Sequence, residues 1–358
     1  MNRRHFLLLS VLALPLAGFA HGRKADFGVS PRLLSAYWGD DGQEGGQGLA
    51  LPQRGASIAL PGRGHAIVPL PDGEALVVSR RLGSWLAKIS WRDQQLLQLV
   101  DAAPDRHFFG HALRGADGDT LLLTENNDDS GAGLVGVYDR QNLRKLSEIP
   151  SYGIGPHELL WLSPGKILAV ANGGILTLPE SGRTKLNRGS MAPNLSLIEW
   201  PSGQLLAQYT LDDKALSLRH LALAADGTLG IAIQAEYLSA AQHREAPLLA
   251  ILHPGAEALQ LAGQKPGLMG YAASIAAHGN EFLISAMRGN QLARWRCDGS
   301  ALDSLPLPRP AGIVSDGVSA WISSEAGGLY GYNQQNQFII ELAGYTRRKW
   351  DNHLSLLI

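Results

Sequence analysis

The feature that most constrains the fold is a repeated unit in which a histidine precedes a short apolar strand and a turn. The first copy reads HAIVPLPDG and begins at His65. Further copies begin 46 residues later at His111, another 46 residues later at His157, and then at His220, with a weaker copy at His353. Between the histidines lie short β-prone runs separated by Gly, Pro and Asp turns. Four such runs in each repeat, with few long stretches of helical period, are typical of a β-propeller blade.

The strand pattern predicts seven blades in a ring. Complete sets of four strands occupy six ranges: 66–100, 112–149, 159–209, 221–261, 272–305 and 312–342. Three more strands lie between Leu33 and Leu60 without a fourth, and one strand, His353–Leu357, stands alone at the other end. Joining them leaves neither chain end with an exposed sheet edge. The sequence therefore predicts an all-β fold, a single seven-bladed β-propeller domain over residues 21–358, whose last blade is closed when the C-terminal strand joins the N-terminal strands.

Residues 1–20 resemble an export signal and are set apart from the fold. Arg3 and Arg4 precede an apolar run, and the small residues Gly18 and Ala20 fit cleavage after Ala20. The arginine pair resembles the twin-arginine (Tat) signal, which carries folded proteins across the bacterial inner membrane, and a general secretory signal is the alternative. No later apolar run is long enough to span a bilayer. We therefore expect a periplasmic protein with no transmembrane segment in its mature form.

Composition and missing motifs exclude several classes of function. Lys and Arg total 31 against 32 for Asp and Glu, with no basic block, so nucleic-acid binding is not expected. Cys297 is the only cysteine, so no intrachain disulfide can form, and a small buried hydrophobe is its expected role. The sequence also lacks a serine-nucleophile elbow, HExxH, a phosphate-binding loop and the haem motif CxxCH. The absence of these motifs argues against the hydrolases, metalloproteases, kinases and c-type cytochromes that carry them.

The repeated histidines supply the candidate site. In a propeller the innermost strand of each blade lines the central channel, and the starts of these strands surround one mouth. His65, His111, His157, His220 and His353 occupy that register in five of the seven blades. Neutral imidazole is a common ligand for iron, copper and zinc, so these five are the candidate metal ligands. Alternatively, the histidines only provide the polar lining that a water-filled channel needs. For a metal site, the metal–nitrogen bond is short, about 2 Å, so we expect only two or three of the imidazoles to converge on one ion.

Four other polar residues are candidate ligand-binding groups. Glu158 and Arg219 are adjacent in sequence to the third and fourth histidines, and Glu158 would be the acid/base of an enzyme built here. Glu125 opens the run ENNDDSG, which resembles a calcium loop in composition only. Its side chain is expected either to face the channel or to belong to a simple turn. Asn172 precedes two glycines whose amides could face a ligand or form a bulge.

Two further features have alternative interpretations. The basic insertion Gly173–Asn194 carries Arg183, Lys185 and Arg188, and it either covers a mouth of the channel or is a solvated loop. His107 lies four residues before the second repeated histidine, the spacing of a helix-borne metal pair. A loop leading into a strand does not keep that geometry, so a supporting role is expected for His107.

An ordered set of phrases resembles the domain-of-unknown-function 1513 (DUF1513) family. The phrases, spread over nearly the whole mature chain, include GRGH, RHFFGH, TEN, GVYD, IGPHE, ANGGI, LRHL and WDNH. The resemblance implies a periplasmic β-propeller, commonly with a Tat-like leader. Genes of this family often neighbour those of imelysin-like and di-haem oxidoreductase-like proteins, which implies a role around iron uptake and makes those proteins the candidate partners. The family has no established reaction, so it supplies no catalytic residues.

Three functions remain open at this point. The favoured one is a binding module that holds a metal ion or small ligand at the histidine-lined mouth and is linked to iron acquisition. The second is a propeller enzyme, a lactonase-like hydrolase or an oxidoreductase, which rests on fold analogy alone. The third is an interaction scaffold whose channel holds only water. Enzymatic activity is not the expected outcome.

Overall fold

The structure is a computed structural model that describes residues 32–40, 43–50, 57–81, 83–333, 338–342 and 348–357. The predicted export signal at residues 1–20 lies outside the described residues. Within them, seven four-stranded antiparallel sheets follow one another around a ring. The predicted seven-bladed propeller is confirmed. No helix formed by the described residues is long and apolar enough to cross a membrane.

Each blade contributes one strand to each of four layers around the central channel. The innermost strands are β4 (Gly64–Pro69), β8 (Arg106–Arg114), β12 (Pro156–Ser163), β16 (Leu216–Leu223), β20 (Ala272–His278), β24 (Pro310–Ser315) and β28 (Arg348–Leu356). The second strands are β1 (Leu33–Asp40), β5 (Glu74–Ser79), β9 (Thr120–Asn127), β13 (Ile167–Asn172), β17 (Leu229–Ala235), β21 (Glu281–Ala286) and β25 (Ala320–Ser324).

The remaining two layers lie farther from the channel. The third strands are β2 (Gln43–Ala50), β6 (Trp85–Ser90), β10 (Gly133–Asp139), β14 (Asn194–Glu199), β18 (Leu249–Leu252), β22 (Gln291–Arg296) and β26 (Leu329–Asn333). The outer strands are β3 (Ser57–Ala59), β7 (Gln95–Asp101), β11 (Lys145–Pro150), β15 (Leu205–Tyr209), β19 (Gln260–Leu261), β23 (Ala301–Pro306) and β27 (Phe338–Glu341). The helical elements in the described part of the chain are α1 (Ala240–Glu245) and the single 3-10 turns Pro71–Gly73, Pro179–Ser181, Arg188–Ser190 and Met287–Gly289.

The ring closes through the composite blade that the sequence predicts. Strand β28 pairs antiparallel with β1, in the register Leu33 to Leu356 and Tyr37 to Trp350. It also contacts the innermost strands on both sides, β24 and β4. Since β28 begins at Arg348, before the predicted start, it carries a buried tryptophan and a buried aspartate into the blade as well as the histidine.

The apolar core lies between neighbouring blades. All six residues of β21 are buried, whereas the outer strand β23 has no buried residue and alternates between exposed and half-buried positions. Strands covered on both faces read as continuous apolar runs, which is why the second strand of each blade is so apolar. Phe282 on β21 packs so closely on the next blade that a Cβ at Gly230 would lie 2.7 Å from its ring. Burying one such side chain contributes about 1.5–3 kcal/mol.

An irregularity interrupts all seven innermost strands where the site forms. The register shifts lie at Gly64/Ile67, Phe108/Ala112, Pro156/Glu158, Leu218/Leu221, Ala272/Ile275, Pro310/Ile313 and Trp350/Leu354. Every repeated histidine falls inside one of them, and Ser274 and Gly312 occupy the corresponding places in the two blades without a histidine. Bulges turn side chains out of the regular alternation of a strand. They therefore aim the imidazoles at the channel axis.

Candidate metal centre in the channel

All five repeated histidines lie together inside the channel. The ring centroids are 4.4 Å apart for His65 and His353, and 4.6 Å apart for His111 and His157. His157 and His220 are also 4.6 Å apart. All but His353 are buried. Five imidazoles therefore converge where two or three were expected.

The cluster contains two overlapping groups with the spacing of metal ligands. His65, His111 and His157 form the first triad, and His111, His220 and His353 form the second. Within each triad one ring nitrogen from every residue lies within 4.8 Å of the others. Nitrogens bound to one ion at about 2.0–2.1 Å lie at most about 4.2 Å apart, so small ring rotations would bring either triad onto a common ion.

A carboxylate orients one histidine in each triad. In the first triad, His65 Nδ1 lies 2.7 Å from Asp351 Oδ1. In the second triad, His220 Nδ1 lies 3.1 Å from Glu158 Oε2, and the Leu221 amide donates to the same oxygen at 3.0 Å. A carboxylate on one ring nitrogen directs the other nitrogen towards the metal in many metal sites.

The remaining imidazoles carry nitrogens that hydrogen bonding leaves unused. His111 Nε2, His157 Nδ1 and His353 Nε2 are buried and have no hydrogen-bond partner among the described residues. Buried polar atoms without a partner are rare because each loses its hydrogen bonds to water and gains none within the protein, which costs free energy. Burial and the neighbouring imidazoles hold the pKa values of these three rings well below the usual range. They are therefore neutral near pH 7, the form that ligates metals.

Asp351 is the centre of a buried ion-pair network under the first triad. It is fully buried, and besides His65 it binds Arg63 and, at 3.0 Å, Arg80. The two guanidinium groups and His65 hold the pKa of this carboxyl well below its usual range. Burial nevertheless dominates at His65, whose pKa is lowered to about 4. The carboxylate thus stays charged while the imidazole it orients stays neutral.

Cavities open on both sides of the histidine cluster. A cavity of about 610 Å³, called here the basic chamber, is lined by Arg80, Arg81, Arg183, Lys185, Arg188, Arg219, Arg288 and Arg309 together with polar and acidic groups. A narrow passage of about 50 Å³ shares several of these arginines and reaches His65 and His157. On the far side, a cavity of about 180 Å³ reaches His111, His220 and His353. Each triad therefore faces its own cavity.

Comparison with known proteins identifies the family. The family model described as "Protein of unknown function (DUF1513)" matches residues 58–357. The chain belongs to the DUF1513 family. No curated protein sequence matches it. Among solved structures, Kuenenia stuttgartiensis hydrazine synthase is similar, with a TM-score of 0.57 and 14% identity over 83% of this chain and 89% of that chain. At that identity the likeness shows the propeller fold alone.

Two of the four polar candidates lie at the site of this DUF1513 protein. Glu158 orients His220 and lines the far cavity, and Arg219 lines both the passage and the basic chamber. Glu125 is instead buried within its blade, where it binds Tyr138 and, at 2.6 Å, Lys145 Nζ. Gly136 makes room for it, because a Cβ there would lie 2.2 Å from Glu125 Oε1.

Asn172 is also part of the blade rather than of the site. Its side chain donates to Ser151 O at 2.8 Å and to Asn194 Oδ1 at 2.9 Å, and it accepts from Ser151 Oγ at 2.7 Å. These bonds tie the second strand of the DUF1513 blade to its neighbours. Neither Glu125 nor Asn172 lines any of the cavities described above.

The insertion and His107 have clear places in the DUF1513 propeller. Arg183, Lys185 and Arg188 line the basic chamber, so the insertion borders the channel, while Arg183 and Arg188 are also exposed to solvent. His107 lies within β8, not in a loop, and its Nδ1 binds Asp128. It belongs to neither triad.

Sequence reasoning missed the residues that surround the triads. Asp351 stands two positions before a repeated histidine and was not singled out, although a carboxylate so placed is a usable signal. The adjacent pair Arg80 and Arg81 is far in sequence from Arg288 and Arg309, and only the closed ring gathers them around one chamber.

Proposed function

We propose that this protein binds a transition-metal ion on the imidazoles of its central channel. The observation that carries the proposal is the set of three buried imidazole nitrogens without partners, which sit beside two histidines already oriented by carboxylates. A metal ion is the partner that would satisfy such a set at once. Each neutral imidazole has one unprotonated ring nitrogen, whose lone pair can bind a metal ion.

The ligand set favours iron, copper or zinc over magnesium or calcium. Imidazole nitrogen suits the first three metals, whereas the last two prefer oxygen. Three imidazoles from one triad leave further coordination positions open, and each triad faces a cavity from which a second ligand could enter. An open position is the arrangement of sites that exchange ligands rather than of purely structural ones.

Elemental analysis of the protein, purified from periplasm without a histidine tag or chelator, tests the proposal. We expect about one ion of iron, copper or zinc per chain, since His111 belongs to both triads and serves one ion at a time. Chelator-treated protein should take the ion up again on titration. A protein that is isolated without metal and takes up none of the three would overturn the proposal.

Replacing Glu158 with glutamine is expected to weaken metal binding by about 10–100-fold, the usual effect of changing a group that orients a ligand. Glutamine keeps an oxygen for the Leu221 amide, so the blade should still fold, but it removes the negative charge beside His220. Metal titration by calorimetry measures the change. Glu199→Gln, at an exposed carboxylate outside the channel, is the control. Equal affinity in the two variants would show that Glu158 does not orient a ligand.

We further propose that the protein acts in the periplasm in iron acquisition, beside imelysin-like and di-haem oxidoreductase-like proteins. The Tat-like arginine pair and the family resemblance support this location and role. Cell fractionation checks the location, and recovery of the processed chain in the cytoplasm would contradict it. Affinity capture with the mature chain checks the partners.

A further inference from the structure

We infer that the basic chamber is a binding site for a small organic anion with two or more carboxylate groups. This inference goes beyond the proposed function, because the chamber is built from side chains that are not metal ligands. A carboxylate placed in the passage would come next to His65 and His157. If a metal ion is bound to these histidines, the carboxylate would contact it. That contact rests on the proposed function, whereas anion binding itself does not.

The first argument is an excess of positive charge in one concave place. Eight Lys and Arg side chains line the chamber, whereas Glu236 and Glu325 are the carboxylates among its described lining residues. Both carboxylates are already paired, Glu236 with Lys185 and Glu325 with Arg309. The whole chain carries a formal charge of only -1, so this concentration is local. Positive charges gathered in a cleft raise the local concentration of anions.

Several of these cations have no carboxylate partner among the described residues. Arg288 stacks on Tyr271, with its guanidinium carbon 4.5 Å from the ring centroid. Arg188 donates only to backbone carbonyls, among them Tyr237 O at 3.1 Å. Arg183 makes no hydrogen bond or ion pair to any described side chain. Its charge nevertheless lies close enough to Arg81 to help lower the pKa of that side chain. Apart from Arg188 Nη2, the donors of these three groups remain available to a ligand.

Two buried guanidinium groups of the chamber, those of Arg219 and Arg81, have donor atoms without an acceptor among the described residues. Arg219 is 4% exposed, and although its Nη2 forms an ion pair with Glu236 at 3.6 Å, its Nε has no partner among the described residues. Arg81 Nη1 is likewise buried and without a partner there. Burial, with the nearby charges of Arg219 and Arg183, lowers the pKa of Arg81 to about 9. An anion seated between these guanidinium groups would supply the missing acceptors and reduce their mutual repulsion.

Size and geometry narrow the class of anion. A chamber of about 610 Å³ is in the range of pockets for small organic ligands and is much larger than one inorganic ion needs. Guanidinium groups bind planar carboxylates through two parallel hydrogen bonds. The passage, at about 50 Å³, has room for one small planar group. A polycarboxylate fits the wide basic chamber and the narrow passage together.

Calorimetric titration of metal-free, full-length mature protein with citrate at fixed ionic strength tests the inference. The test variant is Arg183→Gln/Arg288→Gln, because both side chains are exposed at the rim and their loss should leave the fold intact. Arg114→Gln/Arg144→Gln removes two exposed arginines outside the chamber and is the matched control. Inorganic phosphate and acetate are the comparison anions, and metal content is measured on every preparation.

We expect citrate to bind the wild type and the control equally, and the test variant about 100-fold more weakly, or about tenfold for each lost charge-assisted pair. Absence of citrate binding to the wild type, or equal binding to the test variant, would overturn the inference. Tighter binding of phosphate than of citrate would overturn the carboxylate class. Arginine-dependent citrate binding by a protein that takes up no metal would keep this inference and refute the metal proposal. Metal uptake without citrate binding would do the reverse.

Discussion

Replacing His111 with alanine is expected to remove stoichiometric metal binding from the purified protein. His111 is the residue that the two triads share, and its ring centroid lies 4.6 Å from that of His157 and 4.7 Å from that of His353. Without it, each triad retains two imidazoles. Since loss of an orienting group alone costs about 10–100-fold in affinity, loss of the shared ligand should cost more than about 100-fold. Elemental analysis and metal titration measure the effect.

The control for this experiment is His253→Ala, which removes a histidine outside the cluster. His111→Gln keeps most of the side-chain volume and separates loss of the ligand from formation of a cavity. Full metal content in both His111 variants would contradict the proposed centre. Comparison of His65→Ala with His353→Ala then assigns the ion, because each removes a ligand from only one triad.

Replacing Asp351 with asparagine is expected to destabilise the folded protein by about 3 kcal/mol. Breaking a buried ion pair from one side costs about 3–5 kcal/mol because the other charge stays buried without compensation. The lower end applies because the Arg63 and Arg80 side chains are 25% and 17% exposed, so water screens part of their charge. Urea unfolding of metal-free protein measures the change.

Asp119→Asn is the matched control, since its carboxylate is 80% exposed and lies 3.8 Å from Arg140. Exposed ion pairs of that kind contribute about 0–1 kcal/mol. If Asp351→Asn cost no more than Asp119→Asn, the network under the first triad would not be a stabilising element. A loss of metal affinity with unchanged stability would instead assign Asp351 to orienting His65 alone.

The blade count could be predicted because propellers repeat. Regular spacing of the histidines and runs of four strands predict the blades, and the unpaired strands at the two ends predict the composite one. Strand boundaries were less accurate at the innermost positions. Strand β8 extends over Arg106–Arg114, whereas the predicted blade begins only at residue 112. The bulge near Gly110 breaks the two-residue alternation on which such predictions rest, and a Cβ at Gly110 would lie 2.7 Å from the His65 ring.

For the candidate site, too, some residues could be assigned from the sequence and others could not. Histidines at one register could be assigned to the channel because register follows from the repeat. Glu125 could not be excluded in the same way, because alternation along a strand does not say whether a polar side chain faces the channel or a partner within the sheet. In the structure Lys145 and Tyr138 supply that partner.

By itself the sequence determined the seven-bladed ring, the family resemblance and the set of five histidines, since repeats and short-range patterns are properties of the chain. Only the tertiary structure decided that all five imidazoles meet, that Asp351 and Glu158 orient two of them, and that scattered arginines form one chamber. The physical reason is that ring closure and strand bulges set the distances between residues far apart in sequence. Those distances determine which nitrogens remain free for a metal and which guanidinium groups remain free for an anion.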